Sequence, residues 1–276
     1  MIAMSLKDIT DKEFSQFQRF IFDAAGICLS PAKKAMVGGR LAKRLKQFEL
    51  DNYSDYFLLL TSGDAPGEIQ VAVDLLTTNE TYFFRESKHF DLLRQLAGAA
   101  GTDTNASRNS MFRVWSAASS TGEEAYSIAM ILADCVPHDR WEVIGSDISM
   151  RALQQARYGH YSLERARHIP PDYLRRFCLK GTDMHQGTIL VDRSLRSRVQ
   201  FTQINLNMKL PQLGSFDVIF LRNVMIYFSE DTKRQVVARV CSLLKPGGYF
   251  FIGHSETLNG ISDAVQALAP SIYRKI

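Results

Sequence analysis

Cysteine, long apolar runs and a strong net charge are all scarce in this sequence of 276 residues. The four cysteines lie far apart and form no Cys-x-x-Cys pair, which argues against a disulfide framework or a zinc site and suits the cytoplasm. No apolar run approaches the roughly 18 residues of a membrane-spanning helix. The N-terminal stretch MIAMSLKDITDKEF has charges where a signal peptide has its apolar core. We expect a cytoplasmic protein with no metal and no membrane insertion.

The net charge of +4 is too small to indicate a nucleic-acid partner by itself. Hydrophobic residues make up 46% of the chain and charged residues 22%, as in an ordinary globular protein. The first part of the chain has apolar residues at helical spacing, with predicted helices over Asp11–Ala25, 32–48, 53–60 and 67–76. We expect a helical domain over residues 1–78, a linker and first helix over 79–110, and a larger domain over 111–276.

Glycine is nearly missing from the loop where a dinucleotide-binding fold has its glycine-rich fingerprint. A β-type run over Phe112–Ala117 leads into small residues, then Thr121-Gly122-Glu123-Glu124, then an apolar helical pattern. A second β-rich run follows over 143–145 and ends in Ser146-Asp147. Nucleotide-binding α/β folds place the acid that holds ribose hydroxyls at about this distance. The strand, loop, helix, strand and Asp147 therefore predict a nucleotide-type site.

Further strand-like runs continue the alternation of strands and helices. Phe216–Leu221 is almost wholly apolar, as expected of a central parallel strand, and it delivers Arg222-Asn223 at its carboxyl end. Residues 188–191 and 199–204 resemble strands near a polar turn at 181–187, which predicts a hairpin insertion around 178–204. A last edge strand is expected at 271–273. The predicted fold class is α/β, a Rossmann-like sheet with a small hairpin insertion, preceded by an all-helical domain.

The segment 32–48 carries six basic residues and no acid. At about 100° per residue, Lys33, Arg40 and Arg44 share one helix face, with Lys43 beside them. Such a charge run is usually a solvated face. A cluster that wholly lacks acids is as consistent with a surface that meets an acidic partner. Both interpretations remain open.

Several motifs stand in order along the chain: TTNETYFFRE, RVWSAASSTGEEAYSIAM, SDIS, FLRNVMIYF and LLKPGGYFFIGHSE. Together with the basic helical N-terminal part, they resemble the chemotaxis receptor methyltransferase family, CheR, over essentially the whole chain. The resemblance implies an S-adenosylmethionine-dependent enzyme that converts glutamate side chains of chemoreceptors to γ-carboxyl methyl esters and releases S-adenosylhomocysteine. Positions that match the family's cofactor contacts are Asn79, Thr81, Arg85, Glu123, Asp147, Asn205, Leu206, Arg222 and Asn223.

The resemblance also implies a place for the receptor. In some members a hairpin insertion binds a peptide at the receptor's C-terminus, and residues 181–187 stand where that insertion would be. Tether-binding members often have more glycine in this turn than here, where Asp183 occurs. A plain surface hairpin is the alternative. The expected partners are chemoreceptors, bound by a monomer through Lys33, Arg40, Lys43 and Arg44.

The implied methyl transfer needs no general acid or general base. A glutamate carboxylate, with a pKa of about 4.3, is already ionised at neutral pH and attacks a sulfonium donor without a general base. Alignment of the reactants in a dry site does most of the work. Tyr227 and Arg222 are candidates for orienting the carboxylate, although a tyrosine at a strand end is at least as often a packing residue.

Two other functions are consistent with parts of the sequence. A nucleic-acid methyltransferase would suit the basic segment, but enzymes acting on exocyclic amines usually carry (D/N/S)-P-P-(Y/F) after this strand, and the sequence here is RNVMIY. A non-catalytic receptor-binding module on the same fold is the second possibility. The presence of Asn79, Arg85, Glu123 and Asp147 argues against loss of the cofactor site.

Overall fold

The computed structural model describes residues 8–102, 111–137 and 140–276. The chain divides into two compact units. The helical unit is Met1–Thr78 with Tyr227–Thr232, and the sheet unit is Asn79–Ile226 with Lys233–Ile276. The last eight residues of the predicted linker, 103–110, lie outside the described residues. No helix in the described ranges has the length and apolar character needed to cross a membrane.

The helical unit contains the four helices that the apolar spacing predicts. They are α1 (Asp11–Ala25), α2 (Lys34–Gln47), α3 (Tyr53–Ser62) and α4 (Glu68–Leu76), with a 3-10 turn over Pro31–Lys33 before α2. Thr10 and Glu13 form a capping box at the start of α1, and Gly26 ends that helix at φ 72°. The apolar face of α2 is buried at Val37, Leu41 and Leu45.

The sheet unit alternates strands and helices. Its helices are α5 (Ser87–Thr102), α6 (Glu123–Cys135), α7 (Met150–Tyr158), α8 (Leu163–Ala166), α9 (Pro171–Phe177), α10 (Arg193–Arg196) and α11 (Glu230–Ser242), the last of which begins in the helical unit. Its strands are β1 (Phe112–Ala117), β2 (Trp141–Asp147), β3 (His160–Ser162), β4 (Cys178–Lys180), β5 (Thr188–Val191), β6 (Val199–Gln203), β7 (Phe216–Leu221), β8 (Leu244–Ile252), β9 (Val265–Ala269) and β10 (Ile272–Lys275).

Seven strands form one sheet in the order β6-β2-β1-β7-β8-β10-β9. The first five are parallel, and β10 and β9 continue the sheet antiparallel. In register, Ala117 pairs with Ser146 and with Leu221, so β1, β2 and β7 end at the same edge. This edge is where ligands of open α/β sheets bind. The predicted α/β class is confirmed.

The hairpin insertion differs from the predicted range 178–204. The small antiparallel sheet has the order β3-β5-β4, so it begins earlier, at His160. Val199–Gln203 is not part of it, because this strand pairs in parallel with β2 at the edge of the large sheet. A three-residue strand such as β3 leaves too little alternation to be recognised in the sequence.

The predicted last edge strand is also corrected. Ile272–Lys275 lies between β8 and β9, and the edge of the sheet is Val265–Ala269. Most of β9 is exposed, which fits an edge but gives no alternating apolar pattern.

Candidate functional site

The loop between β1 and α6 turns through left-handed backbone conformations. Ala118, Ser120 and Gly122 have φ values of 61°, 50° and 97°. At Gly122 a Cβ would lie 2.8 Å from the Cβ of Ala156, so glycine is required both by φ and by space. In this loop a single glycine, packed against Ala156, stands in place of the glycine-rich fingerprint of dinucleotide-binding folds.

Asp147 lies at the end of β2 and is tied to this loop. Its Oδ2 accepts a hydrogen bond from the Ser120 N–H at 2.8 Å, and its Oδ1 accepts one from the Ser149 N–H at 2.9 Å. The Ser120 hydroxyl in turn donates to the Asn79 carbonyl at 2.9 Å. Ser120 therefore joins the acid predicted to bind ribose to the start of the TTNETYFFRE motif.

The FFRE segment of that motif forms a strained turn. Phe84 and Glu86 have φ values of 55° and 59°, a conformation that costs a non-glycine residue about 1 kcal/mol or more. The Phe84 N–H donates to the buried Ser127 hydroxyl of α6 at 2.9 Å. Arg85 donates to the Glu80 carbonyl and lies over the Tyr82 ring at 5.7 Å. Strain that is held in place in this way is typical of binding sites.

Arg222 also holds the FFRE turn, through Glu86 and the Arg85 carbonyl. Its side chain is only 1% exposed and lies between Glu124, at 2.8 Å from Nη1, and Glu86, at 2.9 Å from Nη2. The same Nη2 donates to the Arg85 carbonyl. We refer to Arg222, Glu86, Glu124 and this carbonyl as the Arg222 clamp. Because the guanidinium is buried on these partners, we expect Arg222 to position Arg85 and Glu86 instead of contacting the substrate carboxylate.

The two carboxyls of the Arg222 clamp are shifted in opposite directions. Burial opposes ionisation of both. At Glu86 the charge of Arg222 and hydrogen bonds from Arg222, the His254 N–H and Asn223 outweigh burial, and the pKa lies below its usual value. At Glu124 burial outweighs Arg222 and Ser116, and the pKa is raised.

Asn223 is fixed in a left-handed conformation, with φ 57°. Its N–H donates to Glu256 Oε2 at 2.9 Å, and its side-chain amide donates to Glu86 Oε1 at 3.3 Å. Glu256 also accepts from the Gly253 N–H at 2.7 Å and the Ile226 N–H at 3.3 Å. One carboxylate thus organises the segments that follow β7 and β8.

Glu123 starts α6 directly after Gly122, and its side chain is fully buried. It accepts a hydrogen bond from the Thr121 hydroxyl at 2.7 Å and pairs with Arg165 at 2.5 Å. Burial raises its pKa despite the nearby Arg165 charge. The side chain therefore fixes Arg165 and the start of α6.

Asn205 and Leu206 follow β6 at the same end of the sheet as Asp147. The Asn205 side chain accepts from the Asn207 N–H at 3.0 Å. Leu206 is buried, and its carbonyl accepts from Arg239 at 2.9 Å.

A cleft of about 470 Å³ opens beside these elements, and we call it the arginine cleft. Its lining consists of Asn79, Glu80, Thr81, Tyr82, Arg85, Glu164, Arg165, Arg167 and His168. Three of the predicted cofactor residues, Asn79, Thr81 and Arg85, lie in it. The other six are not among its lining residues. The sequence prediction did not include Glu86, Glu124 or Arg165, although Glu86 and Glu124 stand in two of the motifs quoted above.

The predicted receptor-binding residues lie in the helical unit, and two of the four have internal partners. Arg44 pairs with the buried Glu68 through both carboxylate oxygens. Arg40 donates to two carbonyls, at 3.0 and 2.8 Å. Lys33 and Lys43 are exposed. Tyr227 also belongs to the helical unit, where its carbonyl accepts from the Cys28 N–H at 2.7 Å.

Family models match almost the whole chain. The CheR methyltransferase SAM-binding domain matches residues 79–273, and the CheR methyltransferase all-alpha domain matches residues 12–77. The chain belongs to the CheR methyltransferase family. It is therefore a methyltransferase that uses S-adenosylmethionine, and the predicted enzyme class and cofactor are confirmed.

Relatives of this CheR methyltransferase are similar over nearly their full length. A chemotaxis protein methyltransferase of Escherichia coli (strain K12) is 40% identical over 268 residues, which is 96% of this chain and 91% of the relative. Chemotaxis protein methyltransferase 2 of Pseudomonas aeruginosa is 39% identical over 267 residues, 96% and 93% of the two chains. A relative from Borreliella burgdorferi is 36% identical over 274 residues, 97% and 95%. The predicted link to chemotaxis is confirmed.

Residues at this edge of the sheet offer groups that fit S-adenosylmethionine. Asp147 has a carboxylate at the end of β2 for hydroxyl groups, Asn205 and Asn223 follow β6 and β7 with amide groups, and Asn79 is joined to this edge through Ser120. Gly253 leaves room beside Asn223, since a Cβ there would lie 2.4 Å from the Asn223 side-chain nitrogen.

Replacement of Asp147 tests the cofactor site. Asp147→Ala is expected to weaken S-adenosylmethionine binding about 10- to 150-fold, the equivalent of about 1.5–3 kcal/mol for a hydrogen bond to a charged group. Calorimetric titration measures the affinity. Asp192→Ala is the matched control, because Asp192 also accepts a backbone N–H, from Ser194 at 2.8 Å, but follows β5 of the small antiparallel sheet rather than a strand of the large sheet. Unchanged affinity in Asp147→Ala would remove Asp147 from the site.

Proposed function

We propose that this CheR methyltransferase transfers the methyl group of S-adenosylmethionine to glutamate side chains in the cytoplasmic domains of chemoreceptors. The observation that carries this proposal is the arginine cleft. Arg85, Arg165 and Arg167 all line it, against the two acids Glu80 and Glu164. A cleft with excess positive charge suits an ionised carboxylate as the incoming nucleophile.

We infer that the cofactor lies along the carboxyl ends of the parallel strands. Asp147 would hold the ribose hydroxyls, and Asn79, Thr81, Asn205, Leu206 and Asn223 would surround the rest of the molecule. Arg222 acts through the Arg222 clamp, which holds Arg85 at the arginine cleft. Glu123 acts through the start of α6.

The bound cofactor supplies a methyl group on a cationic sulfur, and S-adenosylhomocysteine is the product. In the proposed transfer, the glutamate oxygen would form the new O–CH₃ bond as the S–CH₃ bond breaks, sulfur would keep the electron pair, and no proton would move. The protein therefore needs to orient and desolvate the carboxylate rather than to deprotonate it. Arg85 supplies charge for this orientation, and Tyr227 is proposed as a second orienting group.

Transfer of a labelled methyl group to purified receptor cytoplasmic fragments tests the proposal. We expect label that mild base releases as methanol, because an ester is labile to base and an N-methyl group is not. Receptor fragments with the acceptor glutamates replaced by glutamine serve as controls and should stay unlabelled. Label that resists base, or that persists in the glutamine fragments, would contradict the proposed substrate.

The receptor is proposed to approach the exposed part of the basic segment 32–48, which covers the 3-10 turn and α2 and is called the basic helix below. Arg44 stabilises the helical unit through Glu68, whose Oε1 also accepts from the Tyr56 hydroxyl at 2.6 Å. Lys33 and Lys43 are exposed, so these two lysines are the strongest candidates for contact with an acidic receptor surface. Arg40 and Arg44 are proposed to add to the positive electrostatic potential of the basic helix.

Charge reversal separates this role from cofactor binding. Lys33→Glu/Lys43→Glu is expected to raise the KM for receptor about tenfold while S-adenosylmethionine affinity stays the same, since exposed charges act mainly on the acidic partner. Added salt should weaken the wild type more than the variant. Lys12→Glu/Arg19→Glu, with the same charge change on exposed residues of α1, is the control. Equal receptor kinetics in all three proteins would show that the basic residues form only a solvated face and do not contact the receptor.

The hairpin insertion is proposed as a second receptor contact. A cleft of about 800 Å³, the hairpin cleft, lies beside β4 and β5. It is lined by basic residues, including Arg151, Lys180 and Arg196, and by apolar ones, including Tyr158 and Leu179. These cations offset Asp183 in the turn. The short edge strand β4 adds main-chain groups that an extended peptide can pair with.

Peptide titration tests whether the hairpin insertion binds the C-terminus of the receptor. Acidic, aromatic C-terminal pentapeptides from receptors of the same organism are expected to bind at micromolar concentrations, and Lys180→Glu should weaken them about tenfold. Lys209→Glu, an exposed lysine outside the hairpin cleft, is the control. If no such peptide binds, the hairpin insertion only covers the sheet. Receptor binding would then depend on the basic helix alone.

We further infer that the enzyme works in the cytoplasm as a monomer. All four cysteines are free, as a reducing compartment requires.

A further inference from the structure

A carboxylate and two imidazoles converge behind the Arg222 clamp. Glu86 Oε2 lies 3.6 Å from His89 Nδ1 and 3.7 Å from His254 Nε2. One ligand atom from each of the three residues lies within 4.8 Å of the others. They come from the FFRE turn, the first turn of α5 and the segment after β8.

The hydrogen bonds around His89 point to the Nε2–H tautomer. The Ser271 hydroxyl donates its hydrogen to the Pro270 carbonyl at 2.6 Å. The same oxygen lies 2.7 Å from His89 Nε2, so it accepts from an Nε2–H. His89 Nδ1 is then left with a lone pair, and among the described residues no group donates a hydrogen bond to it.

That lone pair is buried and aimed at a carboxylate. His89 is 1% exposed, and its ring stacks on Phe251 at 5.2 Å. A bare nitrogen lone pair 3.6 Å from a carboxylate oxygen gains nothing from its neighbour unless a cation lies between them. An Nε2–H bound to a neighbouring oxygen, with Nδ1 open, is the arrangement that metal-binding histidines adopt.

We propose that Glu86, His89 and His254 bind one Zn²⁺ ion. Such a site would correct the expectation of no metal, which rested on the spacing of the cysteines. Two imidazoles and a carboxylate form a zinc ligand set that leaves a fourth position for water. In a tetrahedral site with bonds of about 2.0 Å, ligand atoms lie about 3.3 Å apart. The contacts from Glu86 are within a few tenths of an ångström of that value. The His254 side chain is 52% exposed and opens the site to solvent.

Arg222 sets a limit on the affinity. Its Nη2 is 2.9 Å from the Glu86 oxygen that the ion would share, and two cations around one oxygen repel each other. Glu86 Oε2 also accepts from the His254 N–H at 3.2 Å, so the ion would compete with two donors for this oxygen, while Asn223 holds Oε1 at 3.3 Å. We therefore expect binding near the micromolar range rather than that of a structural zinc.

Two other places in the chain could bind zinc and have to be distinguished from the proposed site. His160 and His185 lie with ring centroids 5.5 Å apart, and Cys28 is an exposed thiol. Every protein in the test therefore carries Cys28→Ser. His254→Gln removes the exposed ligand of the proposed site, and His185→Gln is the matched control at the histidine pair.

The experiment is competition of the full chain with a chromophoric zinc chelator. We expect one Zn²⁺ per chain with a Kd of about 1 µM, at least tenfold weaker binding in His254→Gln, and unchanged binding in His185→Gln. Nitrogen NMR of the imidazoles gives the second readout. The His89 Nδ1 resonance should shift on zinc addition in the control and stay in place in His254→Gln.

Three results would overturn the proposal. They are a Kd weaker than about 100 µM in the Cys28→Ser protein, loss of binding in His185→Gln, and full binding in His254→Gln. Methyl transfer is not part of the readout, so failure of the zinc site leaves the proposed function untouched.

Discussion

The contact on which the site depends is the buried guanidinium of Arg222 between Glu86 and Glu124. It joins three segments that are far apart in the sequence: the FFRE turn, the start of α6 and the end of β7. A buried ion pair adds little net stability compared with apolar packing, but removal of one partner typically costs about 3–5 kcal/mol. The Arg222 clamp is therefore better understood as a device that fixes geometry than as a source of stability.

The strained backbone around the site follows from this constraint. Phe84, Glu86, Ala118, Ser120 and Asn223 all have positive φ. Each is unfavourable for a residue with a side chain, and such conformations persist only where the surroundings over-determine them. Here the surroundings are the Arg222 clamp, the Ser127 hydroxyl, Asp147 and Glu256. Together they hold the FFRE turn and the segments that follow β1 and β7 in one conformation.

The sequence predicted the parts of the site that depend on periodicity. Buried strands read as apolar runs, so the residues after β2 and β7, including Asp147 and Arg222, could be placed at one edge of the sheet. Pairings across the fold could not be read in this way. That Glu86 and Glu124 would both meet Arg222, or that Glu68 would bury Arg44, depends on contacts between segments that no local pattern encodes. The three-residue strand β3 and the exposed strand β9 were missed because neither carries a clear period.

Hydrogen exchange at the FFRE turn tests this account most directly. Arg222→Lys keeps the positive charge but loses the planar fork that reaches Glu86, Glu124 and the Arg85 carbonyl together. The account predicts that amides of residues 84–89 exchange at least tenfold faster in this variant while those of β1 keep their protection, and that S-adenosylmethionine binds more weakly. Unchanged exchange at residues 84–89, with wild-type cofactor affinity, would contradict it.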